Sequence, residues 1–435
     1  MLSEKILVKI NHKFYYGWVI VFVAALSQFF SGPGQTFSVS IFINSYIEDF
    51  GWSRSAVSSF YSFATLTSGL ILFNIGRLVD KKGHKAIIPL VGIFLSVACF
   101  FSGIITNYVM LFLSFFMLRF FGQGSLTLLP STLVPKWFIK RRGIALSITS
   151  IGLVVSSAML PLINNYLISM YSWRFTWWFW GFIVLLVFVP LSRILTVNKP
   201  QDIDLESDDK YIQSKETKRV NKTHDENKSE EEDLSKDKYT QNSWTVKEAF
   251  RTRAFWFMLF AQGIPPMVLT GVTFHFVSII GQKGFEDSFA AILLSVIAIV
   301  SFAFTFLAGY ILDKVKVHLI IAVIFLVHII SLLILLYGQS YMALVLFAGL
   351  TGVTIGFRDV SSNVLWANYY GQKNLGSIRG LTMTSVVVGS AFGPLPFGFA
   401  FDNHGSYTEI ILVMILFHVL GFFASILSPP PKKEC

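Results

Sequence analysis

Arg119 stands in RFFGQGS, eleven residues after Tyr108 in a stretch that is otherwise apolar or small. At helical rise that separation is about 17 Å, close to the middle of a hydrocarbon layer about 30 Å thick. A guanidinium at that depth is costly and must face a polar cavity or a partner. Two roles fit it: binding an anion or controlling a proton site, or gripping backbone carbonyls of a neighbouring helix. Gln123, one turn later on the same face, fits the cavity. A second polar cluster, GFRDVSSN, carries Arg358 and Asp359, with Asn363 one turn beyond Asp359. Arg358 precedes Trp366 by eight residues, about 12 Å, so it can snorkel to an interface or reach inward. Adjacent residues point in different directions on a helix, so Arg358 and Asp359 need not pair. His275 is the candidate for proton coupling, because imidazole titrates near physiological pH; a solvated histidine at an interface is the plainer alternative. His328 and His418 are weaker candidates. Gln35 and Gln262 stand at SGPGQT and QGIPPM. Proline there removes a backbone donor, and a helix broken at mid-depth can hold ions or polar substrate; a fixed kink that shapes packing is the alternative.

These side chains need apolar helices around them. Of 435 residues, 54% are hydrophobic, 16% aromatic and only 14% charged, where soluble chains carry about 25% charge. Apolar runs of about 20 residues, enough to span a bilayer, fall at 16–44, 56–76, 86–106, 108–135, 144–169, 175–195, 254–280, 288–312, 318–338, 341–366, 380–401 and 407–427. The expected fold is all-α and polytopic, with twelve transmembrane helices in two six-helix bundles. The expected domains are 1–195, a disordered charged linker at 196–250, a second bundle at 251–428 and a tail at 429–435. LESDDKYIQSKETKRVNKTHDENKSEEEDLSKDKY has too few apolar side chains to fold alone.

Lysine and arginine set orientation. With the N-terminus inside, the inner loops hold Arg77, Lys81, Lys82, Lys85, Lys136, Lys140, Arg141, Arg142, Lys314, Lys316, Lys373 and Arg379, and the tail adds Lys432 and Lys433. The outer loops hold Arg54, Arg174 and Lys283. The expectation is a multi-pass protein of the cell membrane with both termini cytoplasmic. Trp18, Trp52, Trp137, Trp173, Trp256 and Trp366 mark interfaces. The net charge of +10 is spread between apolar segments, so nucleic acid is not an expected partner. Cys99 lies in an apolar run and Cys435 is terminal, so no disulfide framework is expected. The first apolar run extends beyond signal-peptide length without a small-residue cleavage site.

The halves repeat each other. Pro33 and Pro266, Gly51 and Gly284, Gly76 and Gly309, and Asp80 and Asp313 are each 233 residues apart; Arg142-Gly143 and Gly152 match Arg379-Gly380 and Gly389 at 237. Repeats with an even number of spans share one orientation, an arrangement that places substrate between halves near the midplane.

GRLVDKKGHK at 76–85 resembles the loop signature between the second and third helices of the major facilitator superfamily. RFFGQGS resembles that superfamily's fourth-helix motif, and GSAFGPLPFG at 389–398 its glycine–proline packing motif. More narrowly, Trp137-Phe138-Ile139-Lys140-Arg141-Arg142-Gly143-Ile144-Ala145 and FYYGWVIV are similar to motifs of the monocarboxylate transporters and oxalate–formate antiporters. Two features depart from that branch: the first motif lacks its acidic residue, and 288–312 holds no arginine or lysine to receive a carboxylate. The resemblance implies gating by Gly76, Asp80 and Gly83, with Asp313 as the second-half counterpart; Lys85, Arg142 and Arg379 complete the expected gating set. A carboxylate at such a loop can pair with a cation or a helix N-terminus at about 0.3–2 kcal/mol, weak enough to break in each cycle.

The expected function is secondary active transport of a small organic anion, a monocarboxylate or dicarboxylate, by alternating access, with proton coupling or exchange. The expected partners are that substrate and the lipid bilayer, with the protein a monomer. Export of drug-like or hydrophobic compounds and a non-transporting sensor are the alternatives. No metal or cofactor is expected, and the chain is not expected to be an enzyme: it has no metal-ligand cluster, no nucleophile elbow and no phosphate-binding GxxxxGK[ST] loop.

Overall fold

The computed structural model describes residues 15–138, 141–203, 205, 244–312, 315–371 and 375–431. Asp313, Lys140, Lys314 and Lys373, most of the charged linker and the last four residues lie outside them, as do the side chains of Asn363 and Arg379. Twelve helices among the described residues are long and apolar enough to cross a membrane. Lipid offers the backbone no hydrogen bonds, so each span must satisfy its own N–H and C=O groups as a helix. Several starts are written in the sequence. Asn107 accepts from the Met110 N–H at the fourth span, Ser172 from that of Phe175 at the sixth, and Thr252 from that of Phe255 at the seventh.

The first six spans are Gly17–Gly34, Arg54–Lys82, His84–Ser102, Tyr108–Trp137, Arg142–Met170 and Trp173–Leu195. The other six are Arg253–Phe274, Asp287–Leu312, Val317–Tyr337, Tyr341–Tyr370, Thr384–His404 and Thr408–Ile426. The chain divides into two compact units, Met1–Ser45 with Phe63–Glu226 and Tyr46–Ser62 with Asn227–Cys435. The division therefore falls inside the second span. In the first unit the first span packs on the fourth and fifth, and the third on the sixth. In the second unit the seventh packs on the eleventh and twelfth, the eighth on the tenth, and the ninth on the tenth and twelfth.

Glycine sets the closest of these approaches. A Cβ on Gly152 would stand 1.9 Å from the Ala25 carbonyl oxygen, and one on Gly389 would stand 2.3 Å from that of Gly263. The repeat-related glycines thus make matching contacts, fifth span on first and eleventh on seventh.

The two expected helix breaks differ. The first is present: the helix Gly17–Phe30 ends, Gly32–Gly34 forms a 3₁₀ turn, Gln35 is extended, and helix resumes at Thr36. The second is absent, because Arg253–Phe274 runs helically through Pro265 and Pro266. Each proline removes one donor and leaves the φ it imposes compatible with helix, while packing against neighbouring spans holds the rest of the turn. At the first position glycines flank the proline, and neighbouring backbone comes in close: Gly34 sits where a Cβ would lie 2.1 Å from the Leu118 carbonyl oxygen. That carbonyl belongs to Leu118–Ser125, a π-helical segment in the fourth span.

Candidate functional site

In the second unit, Pro265 and Leu269 of the seventh span, Ile324 and His328 of the ninth, and Thr354, Ile355 and Arg358 of the tenth line a small, partly open recess. Arg358 keeps 22% of its side chain exposed, and its Nε and Nη2 donate to Oδ1 of Asp359 at 3.0 and 2.8 Å. Helical geometry leaves it open whether these neighbours pair, and they do: the arginine side chain is long enough to curl back along the helix and meet the carboxylate. The recess therefore carries one cation already matched by one anion. Nearby, Ser362 donates to Oε1 of Gln262 at 2.7 Å, joining the tenth span to the seventh. Gln262 is buried in an unbroken helix, so its expected place at a helix end is not found.

Behind the recess two buried histidines meet. His328 Nδ1 and His418 Nε2 are 2.8 Å apart, and His418 Nδ1 lies 2.8 Å from the Met414 carbonyl oxygen. The rings are edge to face, with centroids at 4.5 Å. The residues are 90 apart in sequence, and nothing local in either helix announces the pairing.

His275 is placed elsewhere and is not a solvated interfacial histidine. It is buried at the junction of Arg253–Phe274 and Phe276–Gly281. Its Nε2 lies 3.0 Å from both the Pro394 carbonyl and the Ser58 hydroxyl, its Nδ1 lies 3.3 Å from the Tyr407 hydroxyl, and its ring stacks on Phe397. Both ring nitrogens lie within hydrogen-bond distance of partners on other segments.

In the first unit Arg119 is buried, and its Nη1 donates to the Gly34 carbonyl at 3.2 Å and reaches Thr36 Oγ1 at 3.4 Å. It grips the break of the first span. Gln123 is half-buried on the same π segment, and Gln35 donates to Ser31 Oγ within the break. The structure thus gathers Arg119, Gln123 and Gln35 in one unit and Arg358, Asp359 and Gln262 in the other.

The aromatic motif segments also meet. The Tyr15 hydroxyl donates to the Trp137 carbonyl at 2.8 Å, and the Trp18 and Phe138 rings lie 5.0 Å apart. In the loop motif, Gly83 has φ +77°, a left-handed conformation that favours glycine, and Asp80 is exposed. Asn198, after the sixth span, accepts from the Lys85 N–H at 2.9 Å, and its amide fills the space a Cβ on Gly83 would need. Gly76 faces open space, and Arg142 is exposed at the start of the fifth span.

Sequence reading missed three features: the histidine pair, Asn198 and Asp402. Asp402, near the end of the helix Pro394–His404, accepts from the first backbone N–H groups of Arg54–Ile71. Each depends on contacts between distant segments, which carry no local periodicity.

Twelve apolar helices in two repeats, with charged side chains held among the spans, define a multi-pass helical membrane protein. The family model described as Major Facilitator Superfamily matches residues 24–394 and again 288–434, and the chain belongs to that superfamily of transporters. Among solved structures, a bacterial homolog of the human lysosomal transporter Spinster, inward-facing and unoccupied, aligns with TM-score 0.67 and 17% identity over 96% of this chain and 99% of that one. The occupied form of such a homolog aligns with TM-score 0.67 and 15% identity over 95% and 96%. A mutant of the nucleoside transporter NupG aligns with TM-score 0.70 and 12% identity over 95% and 99%. At these identities the likeness is one of fold. No curated protein matches the chain by sequence.

Proposed function

We propose that this transporter carries a small organic anion, a monocarboxylate or dicarboxylate, by alternating access, coupled to protons or to exchange. The observation that carries this reading is Arg358: a permanent cation, partly exposed, in the wall of an otherwise largely apolar recess. A guanidinium presents a planar fork suited to a carboxylate, and its present partner, Asp359, is an acceptor of the same chemistry. A substrate carboxylate can take that place. Apolar walls from Pro265, Leu269, Ile324 and Ile355 suit a short carbon skeleton. Gln262 and Asn363, on the seventh and tenth spans, are the proposed polar neighbours of the substrate. In the first unit the proposed contacts are Arg119, Gln123 and Gln35, Arg119 acting chiefly by holding the broken first span in shape.

The same reading puts both termini and the basic loops on the cytoplasmic side of the cell membrane, following the lysine and arginine bias. Gly76, Asp80, Gly83, Lys85 and Arg142 then form a loop latch at that face, with Asp313 and Arg379 as its second-half counterparts. The protein works as a monomer, without a cofactor, and its divisions are two bundles joined by a charged linker.

The test is uptake into proteoliposomes under an imposed proton gradient, with a panel of labelled mono- and dicarboxylates and uridine as an uncharged comparison. Accumulation of one acid, abolished by Arg358→Gln and partly kept by Arg358→Lys, supports the reading. Uptake of uridine alone, or of no carboxylate by protein shown to be folded, overturns it and points to neutral or hydrophobic cargo.

A further inference from the structure

The two buried histidines have a proton arrangement that the geometry dictates. A backbone carbonyl can only accept, so the contact from Met414 O to His418 Nδ1 requires hydrogen on that nitrogen. In the neutral ring the other nitrogen is then bare. His418 Nε2 must accept, and the donor across the 2.8 Å contact must be His328 Nδ1. His328, if neutral, therefore has a bare Nε2. Its Nδ1 edge is turned to His418, and the residue helps to line the recess. The chain of bonds fixes a direction, with one lone pair left on His328.

Resting on the anion reading above, we propose that the His328–His418 pair is the transporter's proton-carrying site, taking one proton at His328 Nε2 in the empty recess and so creating the positive charge that an entering anionic substrate then neutralises. The groups around it set the charge count. The tenth span contributes Arg358 and Asp359, which cancel. The twelfth contributes His418. The seventh contributes Pro265 and Leu269 to the same wall, which are uncharged, and the ninth itself places Phe325 against the His418 ring at 5.5 Å. The neutral pair leaves the recess without net charge. Adding one proton gives it one positive charge, which one carboxylate neutralises. A second proton has no place: His418 Nδ1 already carries hydrogen, and protonating its Nε2 would set two N–H groups against each other across 2.8 Å. The site holds one proton per cycle, and with a monocarboxylate the loaded recess is electrically neutral. His328 and His418 are 5% and 0% exposed, so the proton must arrive by way of the recess.

The experiment is a ¹⁵N-histidine NMR titration of the full chain in lipid nanodiscs, without substrate, across about pH 5–8, the range in which imidazole changes charge. His328→Gln and His418→Gln assign the signals, and either variant alone suffices if the other fails to fold. The expected result is loss of the bare-nitrogen signal of His328 in a single one-proton step, while His418 keeps hydrogen on Nδ1 and a bare Nε2. A pair that stays unchanged throughout, or a His418 that takes a proton before His328 or in its own step, overturns the proposal. Because no substrate is present, such a failure removes the proton site and leaves the anion reading standing. A failed carboxylate uptake with an intact titration does the reverse.

Discussion

The carboxylate of Asp402 accepts the backbone N–H of Ser55 at 2.7 Å, and its other oxygen accepts that of Arg54 at 3.2 Å. Two donors left without helical partners at the start of Arg54–Ile71 are satisfied by a side chain from a helix nearly 350 residues on. The charge also faces the positive end of the helix dipole. We expect Asp402→Ala to lower unfolding stability by about 1 kcal/mol, and Asp402→Asn by about 0.5 kcal/mol because it keeps an acceptor. The difference between the two should shrink at high salt, since the residue is exposed. Denaturant unfolding in detergent measures both, and equal stability of all three proteins would show the cap to be ornamental.

Asp359 competes with any carboxylate for Arg358. Replacing it by Asn removes a partner in a partly exposed ion pair, worth about 0.2–1 kcal/mol. The KM for the transported acid should fall by up to about fivefold, the equivalent of that energy. A KM that rises in Asp359→Asn would mean that the aspartate serves the substrate and does not displace it.

The glycine contacts separate packing from gating. Gly152→Ala and Gly389→Ala drive a methyl group into backbone, and each should cost about 1–3 kcal/mol. Gly76→Ala meets open space and should stabilise its helix by about 0.5–1 kcal/mol. Thermal melts rank the three. If Gly76→Ala is stable yet transports slowly, the loss belongs to the moving state and supports a latch at that loop.

Lys283 donates to the carbonyls of Leu336 and Gly338 at 3.1 and 3.0 Å, at the C-terminal end of the ninth span. Burial holds its ammonium below the ordinary lysine value of 10.5. The folded value lies under the unfolded one, so in the interval between them the unfolded chain binds more protons and stability rises with pH. Thermal midpoints should therefore climb as pH approaches that ordinary value from below, and Lys283→Met should flatten the climb. A midpoint profile identical in both proteins would exclude the lysine as its source.

The spans were legible because lipid imposes a length and a composition that soluble folds do not. The repeat was legible because Gly152 and Gly389 answer the same steric demand in both halves. What could not be read was whatever depends on two distant helices touching. His328 and His418 look, one at a time, like ordinary histidines in apolar runs. Asp402 looks like a loop acid until the start of the second span is beside it. The prolines misled for a different reason. Pro33 and Pro266 are equivalent in sequence, but only the first is flanked by glycines with neighbouring backbone pressed against them. The second lies in a helix whose neighbours keep it straight. Arg358 and Asp359 pair although helical geometry separates their Cβ atoms, because a long side chain can undo that separation.

The unbroken seventh span has a spectroscopic consequence. Pro265 and Pro266 cannot donate, so the carbonyls of Ala261 and Gln262 lose the donors that every other interior turn supplies. A carbonyl freed from the helical ladder vibrates apart from the main amide band, and its frequency shifts when a water molecule binds it. Isotopic labels at these two positions would turn the proline pair into an infrared gauge of wetting beside the recess, one that reads hydration turnover by turnover.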